Sequence, residues 1–231
     1  MDGKDKKNRV RNWFGNLTPM KSFLFGIVFA ILIVIIVGAI IVKVKNSGYG
    51  HEITDTKKNG ERPELQVDLI EPNEYSRPQI KLKKVNGIVI HYTANPGSTA
   101  KQNRDYFNGL QYSKKTKASA HFIIGLDGEI VQCIPCKEIA YASNKRNYDT
   151  ISIECCIPDD TGKFNDKTRK SLIELTTWLM GRYDLSIDDV IRHYDVTGKL
   201  CPKYYVEHED AWKKLKDDML DYIDKKGSKA D

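Results

Sequence analysis

Three side chains in this sequence have the right chemistry to share a metal ion: His91, His193 and Cys201. Imidazole nitrogen and thiolate sulfur are the donors that a tetrahedral zinc favours, and three protein ligands leave a fourth position for water. A lone histidine at a strand end is more often a packed or solvent-facing residue. Spacing alone therefore does not separate a metal site from three unrelated side chains. The elements around them have to decide.

Gly87-Ile-Val-Ile-His91 reads as a short buried strand ending at the first histidine. Asn95-Pro-Gly-Ser98 breaks it, and Ser98 or Thr99 can cap a helix running to about Leu110. The stretches 120–125 and 129–134 flank Leu126-Asp-Gly128, where Asp-Gly is a hairpin signal. Thr150-Ile-Ser-Ile-Glu-Cys155 reads as another strand. Asn165 can cap a helix whose Leu172, Leu175, Thr176, Leu179, Met180 and Tyr183 share one face. Residues 189–193 read as a last strand and about 207–225 as a last helix. Strands interleaved with helices predict an α/β domain, a mixed central β-sheet flanked by helices. A sheet of this kind holds strand ends rigidly enough to serve as a platform for ligands.

Ahead of this domain, Ser22 to Val42 is an uncharged apolar run between Lys21 and Lys43. At about 1.5 Å per residue it matches a hydrocarbon core of about 30 Å. The chain has 37 basic and 31 acidic residues; eight and two of these fall in residues 1–45, leaving 29 of each sign for the rest. The excess charge thus sits beside the apolar run and reads as membrane topology, with the N-terminus cytoplasmic. The expected organisation is a cytoplasmic basic tail over 1–21, a transmembrane anchor over 22–42, a linker over 43–71 and an extracytoplasmic domain over 72–231. The domain would then be held at the cell membrane by one N-terminal helix. With no basic stripe, nucleic acid is not an expected partner.

The segment His193-Tyr-Asp-Val-Thr-Gly-Lys-Leu-Cys-Pro202 resembles the zinc loop of the type 2 N-acetylmuramoyl-L-alanine amidases, the family of the peptidoglycan recognition proteins. Ile88-Val-Ile-His-Tyr-Thr93, Ser119-Ala-His-Phe-Ile-Ile124, Asp127-Gly128 and Thr150-Ile-Ser-Ile-Glu154 extend the resemblance over about residues 80–222. It implies zinc held by His91, His193 and Cys201, with Lys199 beside the third ligand. Some members place a catalytic tyrosine before the His-Phe pair, where this chain has Ala120. Others use a glutamate on the central strand, so the resemblance assigns activation of water to Glu154. The equivalent of His121 lines the pocket without binding metal.

The implied activity is hydrolysis of the amide between N-acetylmuramic acid and L-alanine, with peptidoglycan (muramyl peptide) as partner and Zn2+ as cofactor. The alternatives are a non-catalytic peptidoglycan-binding module, a zinc peptidase cutting within the stem peptide, and a membrane protein with a purely structural zinc. Tyr92 and Tyr194 follow the two histidines and are expected to be packing residues. Among Cys133, Cys136, Cys155, Cys156 and Cys201, the first two are close enough in sequence to pair. Cys155 and Cys156 should face opposite sides of their strand. Buried free thiols, and a second, structural zinc built from Cys133, Cys136 and either Cys155 or Cys156, are the other readings.

Overall fold

The computed structural model describes residues 61–227. Six strands form one mixed sheet: β1 (Gln66–Val67), β2 (Ile88–Tyr92), β3 (Phe122–Ile124), β4 (Ile130–Gln132), β5 (Ile151–Cys155) and β6 (Val190–Arg192), in the spatial order β1-β4-β3-β5-β2-β6. Only β3 and β4 run antiparallel; they are joined through the Asp-Gly turn, where Gly128 adopts φ +87°. Position 128 favours glycine twice over. Left-handed backbone disfavours a Cβ, and a Cβ there would lie 2.9 Å from Ser171 Oγ.

The helices are α1 (Ala100–Ser113), α2 (Asp166–Tyr183), the short α3 (His193–Thr197) and α4 (Lys203–Glu207), and α5 (Glu209–Gly227). Thr99 and Gln102 form a reciprocal capping box at the start of α1, and Asn165 caps α2 through the Thr168 amide. Both helices end on a residue in the left-handed region, Lys114 and Asp184.

The β-branched strands bury both faces of the sheet. One face carries Ile88, Ile90, Ile151 and Ile153 into a cluster with Leu172, Leu175 and Leu179 of α2 and Leu215 and Met219 of α5. The other places Ile123 and Val131 against Phe107 and Leu110 of α1 and against Ile70. Cys155 belongs to the first cluster and Cys156 to the second, as alternation along a strand requires.

The fold expectation needs a correction at its N-terminal end. No helix among the described residues is long and apolar enough to cross a membrane. The longest, α5, carries Lys213, Lys214, Lys216, Asp217 and Asp218 through its middle, charges that hydrocarbon would not accept. Residues 22–42, where the anchor was expected, lie outside the described residues, as do the tail and most of the linker. Over the described residues the fold is therefore a mixed sheet flanked by helices, with no transmembrane helix among them. The linker was expected to reach residue 71, yet β1 pairs with β4 and Ile70 is fully buried. The ordered domain thus begins before residue 72.

Candidate metal centre

His91 stands near the C-terminal end of β2. Ile88 and Ile90 enter the core on one face, so alternation turns His91 to the other. Parallel pairing sets Glu154 of β5 level with His91, which puts both side chains on that same face. His193 does not end the last strand as expected. The strand stops at Arg192, whose amide donates to Asp195 Oδ2, and His193 is the first residue of α3. Gly198, at φ +77°, then turns the chain back, and the Tyr194 amide donates to the Cys201 carbonyl over 2.9 Å. This closed loop returns Cys201 to His193.

The outcome is a compact donor set. One ligand atom from each of His91, His193 and Cys201 lies within 4.8 Å of the others. Cys201 Sγ is 3.8 Å from His91 Nδ1, and the two imidazole centroids are 4.6 Å apart. Tetrahedral zinc, with ligand bonds of about 2.0–2.3 Å, holds its donors roughly 3.5 Å from one another. The three are buried, at 2%, 7% and 3% exposure for His91, His193 and Cys201. Glu154 Oε1 lies 4.0 Å from His91 Nδ1, and the Glu154 side chain is 16% exposed.

Electrostatics favour neutral imidazoles, the form that ligates. Burial holds His91 well below its usual value, helped by His193 and Lys199. His193 is lowered by burial and then by Lys199. Burial pushes Glu154 up to about 8 against the opposing charge of Lys199. Burial, then Glu154, pushes the Cys201 thiol up to about 12. Lys199 is exposed on the turn between α3 and α4, and its charge bears on all four groups. Two buried polar atoms here have no protein partner, His193 Nδ1 and Glu154 Oε2. An orphaned ring nitrogen beside two further soft donors fits a bound divalent cation, because leaving it unsatisfied costs about 1–3 kcal/mol.

Other residues fall outside the cluster. His121 is buried, its Nε2–H donating to the Glu138 carbonyl at 2.9 Å and its Nδ1 accepting from the Ser152 amide at 3.0 Å. Ala120 is fully buried and brings no hydroxyl. Tyr92 packs against the core, but Tyr194 is 42% exposed. The expectation of packing for Tyr194 assumed that the strand continued, and α3 begins one residue earlier. All five cysteines are free thiols, and among the described residues the one group of three or more potential ligands is His91, His193 and Cys201. Sequence reasoning missed Ser143, whose Oγ lies 3.1 Å from His91 Nε2. It sits 52 residues away outside any periodic segment, and nothing local marks it.

Comparison with known proteins adds a family to this geometry. The family model described as N-acetylmuramoyl-L-alanine amidase matches residues 81–204. The N-acetylmuramoyl-L-alanine amidase CwlL of Bacillus licheniformis is 40% identical over 152 residues, 60% of this chain and 42% of that relative. A probable N-acetylmuramoyl-L-alanine amidase of the same organism is 36% identical over 168 residues, 66% of this chain and 47% of the relative. The solved catalytic domain of XlyA matches with a TM-score of 0.57 at 26% identity, over 68% of this chain and 99% of that one. The chain thus spans about half the length of the curated relatives it matches.

Proposed function

Because the chain belongs to the N-acetylmuramoyl-L-alanine amidase family, we propose that it hydrolyses the amide joining the lactyl group of N-acetylmuramic acid to L-alanine in peptidoglycan, using zinc held by His91, His193 and Cys201. The observation that carries the reading is the convergence of these three donors beside a partly buried carboxylate, Glu154. A module that only binds the cell wall has no need of that set.

When bound, zinc would supply a Lewis acid for the scissile carbonyl and ease deprotonation of a water. Glu154 takes the proton of the attacking water and returns one to the departing amine nitrogen, so that the C–N bond breaks to a carboxylate and an amine. Burial raises its proton affinity, which suits a group that must both accept and release a proton. The unpartnered Oε2 is free for the exchange. Lys199 brings positive charge towards the oxyanion from its exposed turn. The burial of His91, His193 and Cys201 keeps bulk water from competing for the donors.

Purified sacculi incubated with the protein, with and without a chelator, test this. The expected products are a free muramic lactyl carboxylate and a new N-terminal L-alanine, both lost on chelation and in Cys201→Ala. New amines elsewhere in the stem would make the protein a peptidase. Sedimentation with sacculi but no release would make it a binding module.

A further inference from the structure

Resting on that metal reading, we propose that Ser143 is a positioning residue for His91: its hydroxyl accepts the Nε2 proton and so keeps Nδ1 open as the ligand. An imidazole can offer a lone pair to a metal from one nitrogen only when the other carries the hydrogen, and that hydrogen needs a partner. In this site the two nitrogens have different surroundings. Nδ1 faces Cys201 Sγ at 3.8 Å and Glu154 Oε1 at 4.0 Å. Nε2 faces Ser143 Oγ at 3.1 Å. Both side chains are almost wholly buried, so no water competes for the contact.

The segment bearing Ser143 is built to hold it still. Asn147 Oδ1 accepts from the amides of Ala142 and Ser143 at 3.0 and 2.6 Å. The Arg146 amide donates back to the Ser143 carbonyl at 2.9 Å, closing the 3-10 turn Asn144–Tyr148. The Thr150 hydroxyl donates to the Arg146 carbonyl at 2.6 Å, tying the turn to the start of β5. The turn also packs against α3, the helix that begins with His193. Ser143 is therefore braced between the elements that supply Glu154 and His193, and it sets the rotation of the third group, His91.

The experiment compares wild type with Ser143→Ala and Ser143→Gly, two ways of deleting the hydroxyl, and with Ser143→Thr, which keeps it. Zinc affinity is measured by competition with a chromophoric chelator. The His91 tautomer is read in metal-free protein by long-range proton–nitrogen NMR correlation. Deleting the hydroxyl should weaken zinc binding by about 10- to 100-fold, and Ser143→Thr should stay within about threefold of wild type. Metal-free wild type should hold His91 with its proton on Nε2, and the deletions should give a mixture of tautomers. A merely structural serine would shift melting temperature without changing the tautomer. Zinc affinity and tautomer both unchanged in the deletions would overturn this proposal alone. A wild-type protein that takes up no zinc would overturn the metal reading as well.

Discussion

The two faces of β2 and β5 make an instructive pair. On one, Ile88, Ile90, Ile151 and Ile153 are fully buried beneath α2 and α5. On the other, the intervening residues are Val89, His91, Ser152 and Glu154, and three of those four are polar. The same backbone hydrogen bonds hold both faces. The isoleucines gain stability from leaving water, whereas the polar face loses it unless each group finds a partner. Ser152 finds His121, and His91 finds Ser143. Glu154 Oε2 finds none, and the uncompensated atom is the one assigned to chemistry.

If that division holds, substitutions on the two faces should separate activity from stability. Glu154→Gln should lower turnover on sacculi by about 10²- to 10⁴-fold while leaving zinc content at wild-type level. A metal assay beside a rate measurement checks both, and full turnover would remove Glu154 from the mechanism. Ile153→Ala should cost about 2–5 kcal/mol in denaturant unfolding, with unchanged zinc stoichiometry in the folded fraction.

The third test uses pH. Burial holds His121 down at about 4, below its ordinary 6.5. The unfolded chain therefore binds this proton before the folded one does. Stability should be fully present above pH 6.5 and fall by roughly 3 kcal/mol as pH drops towards 4. Urea unfolding across that range should show the decline in wild type and a flatter curve in His121→Gln. Equal slopes would mean that His121 is not the group that makes the domain acid-sensitive.

Much of this layout is legible in the residues themselves. The isoleucine alternation gives β2 and β5, Asp127-Gly128 gives the hairpin, and Thr99 and Asn165 give two helix starts. The three donors are legible because histidine and cysteine fall beside strand ends in a familiar loop pattern. Three features are not. β1 is two exposed residues long, too short for any period to register. The helical start at His193 depends on a local cap, Asp195 on the Arg192 amide, and on Arg192 being held by the distant Glu209, both concealed by the short β-branched run. Ser143 is silent because its partner is distant in sequence, and a serine in a loop has many ordinary reasons to be there.

The cysteines carry a practical consequence. Cys133, Cys155, Cys156 and Cys201 are sealed within the fold, and only Cys136 is partly open. A bulky alkylating reagent should therefore mark the native domain at Cys136 first and reach the remaining sulfurs only as the sheet comes apart. The rate at which label accumulates would then report how often the interior breathes.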